Sequence, residues 1–147
     1  LNNWVAIKTT GTKAPLVFCH GWGGDIFLFQ LLGHSLNADC AVFAIQGNEH
    51  CGDIPPPASI EAMATQYADL IQSKLPATPC VIAGYSMGGS FAFAVASELD
   101  RRRHPVKQVI IIDTMPKNLP PIIRARTVMP GILRSIINQS RQLARGD

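Results

Sequence analysis

The chain predicts an α/β fold, a mostly parallel sheet flanked by helices and followed by a lid-like helical tail. Three observations predict it. Short apolar runs alternate with helical patterns, the order expected of a parallel sheet covered on both faces. One run meets the next helix through Gly84-Tyr85-Ser86-Met87-Gly88, a serine turn flanked by glycines. The polar residues that follow the strands, His20, Ser86 and Asp113, all fall at carboxyl ends, where doubly wound sheets gather ligands.

Taken in order, Trp4-Val5-Ala6-Ile7 predicts an edge strand and Leu16-Val17-Phe18-Cys19 the first interior one. A helix follows near Phe27 to Leu36, then a strand over Ala41-Val42-Phe43-Ala44-Ile45. The next helix runs from Ile60 to Leu75. Ser59 suits its N-cap and Glu61 its positive end, although Ala62 stands where a capping box has Glu or Gln. Pro55-Pro56-Pro57 makes a stiff approach to it, and Pro76 and Pro79 mark its end. Cys80-Val81-Ile82-Ala83 reads as a buried strand, and the helix after Ser86 lines up Phe91, Ala92, Val95, Ala96 and Leu99 on one face. Val109-Ile110-Ile111-Ile112 is the last strand. Beyond Asp113, Pro116, Pro120, Pro121 and Pro130 precede Ile132, Leu133, Ile136, Ile137 and Leu143 at roughly helical spacing. This divides the chain into a core over residues 1–116 and a lid-like or packing helical segment over 117–147.

With 147 residues, 47% hydrophobic and 16% charged, the composition is that of one soluble globular domain, and no apolar stretch approaches the ~20 residues that span a bilayer. No targeting segment is found, and a first residue of leucine reads as the interior of a longer chain. Cys19, Cys40, Cys51 and Cys80 match no metal or redox spacing, so a reduced, cytoplasmic protein without a metal is expected. The net charge of +3 conceals a basic segment: residues 117–147 hold six Lys/Arg against one acid. They hold no aromatic residue, which argues against nucleic-acid binding.

The chemistry centres on Ser86. A strand that turns sharply into a helix through Gly-x-Ser-x-Gly is a nucleophile elbow, with flanking glycines because side chains there would meet the adjoining strand or helix. His20-Gly21-Trp22-Gly23-Gly24 suits an oxyanion loop, whose Trp22 N–H, or alternatively that of Gly21, joins the N–H of Met87 in holding a carbonyl oxygen as it becomes negative. His20 is expected to fix this loop by hydrogen bonding and not to act as a base. Asp113 either ends its strand in a turn with Thr114 or serves as the carboxylate that orients a histidine.

His20-Gly21…Gly23-Gly24, Ile60-Glu61-Ala62-Met63-Ala64…Tyr67, Gly84-Tyr85-Ser86-Met87-Gly88-Gly89 and Ile111-Ile112-Asp113-Thr114 together resemble the thioesterase domains of nonribosomal peptide and polyketide synthetases, in the α/β-hydrolase superfamily. The resemblance runs from about Leu16 to Pro116, with the segment Ser59 to Tyr67 lying outside the expected site. It implies a partial α/β-hydrolase fold and a serine thioesterase. Ser86 would receive an acyl or peptidyl chain from the phosphopantetheine arm of a carrier protein, and Asp113 would orient the base; no bound cofactor is implied. The loop departs from the common His-Pro-Ala type, and Tyr85 replaces a frequent Trp or His, departures that bear on substrate. The family's catalytic histidine follows later strands, and His20, His34, His50 and His104 do not suit that place. The expectation is therefore a chain truncated before its base, with little activity of its own. The alternatives are a general carboxylester hydrolase and a hydrolase-like interaction module without turnover.

Overall fold

The computed structural model describes residues 3–52 and 54–114. The expected segment 117–147 lies outside the described residues. Five strands, β1 (Trp4–Lys8), β2 (Lys13–Cys19), β3 (Cys40–Ile45), β4 (Cys80–Tyr85) and β5 (Val106–Ile112), form one sheet in the order β1-β3-β2-β4-β5. β1 pairs antiparallel with β3, and the other neighbours are parallel. Three helices, α1 (Phe27–Ser35), α2 (Ile60–Lys74) and α3 (Met87–Arg101), complete the core.

The strands bury both faces because their side chains alternate. Val17, Cys19, Ile45 and Ile82 face α2 and α3, where Tyr67, Ile71, Val95 and Leu99 are fully buried. Leu16, Phe18, Val42, Ala44 and Ala83 face α1, where Phe29 stacks on Phe18 at 4.5 Å. Each large side chain withdrawn from water contributes about 1.5–3 kcal/mol.

Two strands extend beyond their apolar runs. β2 starts at Lys13, and its register slips between Lys13 and Leu16, the stretch containing Pro15, which has no N–H for the ladder. β5 starts at Val106 and includes Lys107 and Gln108: Val106 and Gln108 pair with Cys80 and Val81 of β4, and Lys107 falls at the register shift between them. The helix starts follow expectation: the Ser59 hydroxyl accepts the Ala62 N–H at 3.1 Å. The four cysteines are free, and burial raises the Cys19 thiol to about 12. No described helix is long and apolar enough to cross a membrane.

Candidate active site

β4 runs straight into α3 with Ser86 alone between them, at φ 53° and ψ −124°. Such a conformation costs a residue with a side chain about 1–3 kcal/mol and persists only where the surroundings impose it. Here they do. The Ser86 N–H donates to the Ile112 carbonyl at 2.9 Å, and the Ser86 carbonyl accepts from the Gly89 N–H at 3.0 Å and the Thr114 hydroxyl at 2.6 Å. Gly84 and Gly88 make the close packing possible. A Cβ on Gly84 would collide with the Gly88 carbonyl, and one on Gly88 would lie 2.6 Å from the His20 carbonyl oxygen and 2.8 Å from that of Cys19. The start of α3 is thereby pressed against the end of β2, and Ser86 is left exposed.

Asp113 follows β5 at the same end of the sheet. Tyr85 pairs with Ile112, so Ser86 and Asp113 each succeed one member of a paired couple on neighbouring strands. Asp113 is exposed and takes φ 50°, a left-handed turn that Asp tolerates better than most residues.

The loop after β2 is held by side chains. The buried His20 ring donates through Nδ1 to the Gly21 carbonyl at 2.7 Å, which leaves Nε2 to accept the Tyr67 hydroxyl, also at 2.7 Å. Burial keeps the ring neutral by lowering its affinity for a proton, against the opposing pull of the Gly21 carbonyl and the Glu49 carboxylate. Burial also raises the Tyr67 hydroxyl well above the usual range for tyrosine. The His50 Nε2 donates to the Gly23 carbonyl at 2.7 Å, and the Gly47 N–H reaches the Gly24 carbonyl at 2.8 Å, tying the loop to the end of β3. Trp22 at its tip is 80% exposed.

Between loop and helices opens a cavity of about 510 Å³, walled by Trp22, Met87, Phe91, Met63, Ile60 and Tyr67 among others. Met87 and Trp22, the expected oxyanion donors, thus share one cavity wall. Of the segment Ser59–Tyr67, expected to lie outside the site, Ser59, Ile60, Met63 and Tyr67 line this cavity, the first two exposed and the last two buried. Sequence reading gave Tyr67 no role there. Its only signal was a tyrosine on a helix face otherwise filled by Met63, Ala64, Ala68 and Ile71.

The four histidines have other places in the fold. Both His20 nitrogens are engaged, His50 holds Gly23, His34 is exposed on α1, and His104 is buried ahead of β5 at the far end of the sheet. Among the described residues no group of His, Cys, Asp and Glu is arranged to hold a metal ion.

A family model described as "Thioesterase domain" matches residues 14–120. Atromentin synthetase of Tapinella panuoides is 32% identical over 122 residues, 83% of this chain and 12% of that protein. Chondramide synthase of Chondromyces crocatus is 34% identical over 76% of this chain and 3% of its own length. The chain therefore spans a small fraction of these curated relatives. A type II thioesterase from the yersiniabactin NRPS/PKS biosynthetic pathway superposes with TM-score 0.70 at 22% identity, covering 92% of this chain and 57% of that one. A four-domain nonribosomal peptide synthetase gives 0.72 at 24% identity, covering 99% of this chain and 11% of that one. The fold is thus that of thioesterase-type α/β hydrolases.

Proposed function

This chain belongs to the thioesterase-domain family, and from that premise we propose that Ser86 accepts an acyl or peptidyl group from a phosphopantetheine thioester presented by a carrier protein. The observation that carries this reading is the Ser86 elbow, an exposed hydroxyl on a strained turn beside Asp113 and at the head of α3. Ser86 Oγ attacks the thioester carbonyl while a histidine takes its proton. The Met87 and Trp22 N–H groups stabilise the resulting oxyanion, and each such donor lowers the barrier by about 3–4 kcal/mol. The C–S bond then breaks, and the pantetheine thiolate leaves with the proton from the imidazolium. Water, activated by the same histidine, releases the chain as an acid; an internal nucleophile would release it as a ring.

Asp113 fixes the tautomer of that histidine and stabilises its charged form. Since all four histidines within these 147 residues are placed elsewhere, the base is assigned to a residue outside them. The 147 residues alone are accordingly expected to turn over very slowly. Incubating the parent polypeptide with an acyl-loaded carrier protein tests the reading. It predicts an acyl-enzyme on Ser86 that is absent in Ser86→Ala. Faster turnover of small soluble esters than of carrier thioesters would instead favour a general carboxylester hydrolase, and absence of any acyl-enzyme would favour a binding module.

A further inference from the structure

Among the described residues the cavity wall carries a single formal charge: they contribute no Lys or Arg to the lining, and the acid they contribute is Glu49, in the short 3-10 helix Asn48–His50 after β3. Among the described residues the Glu49 carboxylate has neither a hydrogen bond nor an ion pair, unlike Glu98, which is held by Arg101 and Arg102. Its position is nevertheless shaped by the backbone. A Cβ on Gly47 would lie 2.6 Å from one carboxylate oxygen, and one on Gly24 would overlap the other. The carboxylate therefore rests over two bare backbone positions where the oxyanion loop is tied to β3. The carboxylates of Glu49 and Asp25 both act on the His20 ring in the sense that favours a cation.

Resting on the reading of Ser86 as acyl acceptor, we infer that Glu49 selects acyl chains bearing an ammonium group, with the cation at the cavity mouth and the apolar stem along Met63 and Phe91. Two effects favour this choice. An ammonium held beside the exposed Glu49 carboxylate gains Coulomb energy. An uncharged chain in the same place strips water from Glu49 and returns nothing, and a polar site left unpaired rejects a substrate more strongly than a poor apolar fit does. The same field disfavours chains ending in a carboxylate.

The test compares soluble N-acetylcysteamine thioesters of ε-aminocaproate and heptanoate, matched in length and differing in an ammonium for a methyl. Binding is measured in the full chain carrying Ser86→Ala by the change in tryptophan fluorescence, since Trp22 lines the cavity. The ammonium probe is expected to bind about fivefold tighter, a difference of about 1 kcal/mol. That ratio should fall to within about twofold on adding Glu49→Gln, while Glu49→Asp, which keeps the charge, should retain most of it. Equal binding of the two probes before mutation, or a ratio that survives Glu49→Gln, overturns the inference. A separate fluorophosphonate labelling of Ser86 keeps the two readings distinct: labelling without charge discrimination sinks the Glu49 assignment alone, and discrimination without labelling sinks the acyl-acceptor reading alone.

Discussion

The Ser86 elbow and the loop from His20 to Gly24 meet at one end of the sheet, yet they are held by opposite means. The elbow is set by what is absent: without side chains at Gly84 and Gly88, the backbones of β4, α3 and β2 close on one another and leave the serine no other conformation. The loop is set by what reaches it from far along the chain, Tyr67 on α2 and His50 after β3. One half of the site is thus fixed by sterics within a few residues, the other by hydrogen bonds across 47 and 27 positions of sequence. The two halves should fail differently.

The largest effect is expected at the elbow. Gly88→Ala puts a Cβ against two backbone carbonyls that cannot swing aside, and should cost roughly 3 kcal/mol of stability and abolish serine reactivity. Urea denaturation checks this, and a variant as stable as the parent would show that the close packing of α3 on β2 is not what holds the turn. On the loop side, Tyr67→Phe leaves the buried His20 Nε2 without its donor and should cost about 1–3 kcal/mol. The elbow should survive that change, so Ser86 labelling is slowed but not lost; complete loss would mean that the two halves are not separable.

That contrast also explains what the sequence shows. The strand–turn–helix passage with its glycines is contiguous, so Ser86 and the start of α3 are legible from residues 80 to 91 alone. Asp113 was readable as well, because an acid after four β-branched residues has to stand at the strand's carboxyl end. The cavity was not. Its walls come from the loop after β2, the turn holding Glu49, α2 and α3, and the direction of Tyr67 depends on how α2 packs, which local periodicity does not determine. Strands extend past their apolar runs at Lys13 and at Val106 and Gln108, because pairing with a neighbour decides those positions. The expected segment 117–147 falls outside the described residues.

A smaller effect should appear with pH. Burial holds both His20 and His104 below their usual 6.5, so on acidification the unfolded chain takes up protons before the folded one does. Stability is full above about 6.5 and declines as pH falls below it. Glu98, held at about 2 by Arg101 and Arg102, acts in a separate window: its contribution is present above the ordinary carboxylate value of 4.5 and is lost only as pH falls towards 2. Denaturation midpoints measured from neutral to mildly acidic pH should show the first decline; a flat profile across that range would contradict the neutral, buried state of the rings.

The smallest change is expected far from both turns. Arg102 joins the end of α3 to α2 through Asp69 at 2.5 Å and Gln72 at 2.9 Å, and to Glu98 on its own helix at 2.7 Å. Arg102→Ala should cost about 1 kcal/mol, because Asp69 is largely exposed and exposed pairs contribute little. Thermal melting reads the loss, and Ser86 labelling should be unaltered. A change in labelling would mean that the site depends on the remote end of the helix.

The most direct test of the central claim is mass-spectrometric mapping of a fluorophosphonate adduct on the parent polypeptide, with Ser86→Ala alongside. The account predicts one adduct, on Ser86, that disappears in the variant. An adduct elsewhere, or none while an acyl-loaded carrier is still turned over, would contradict it.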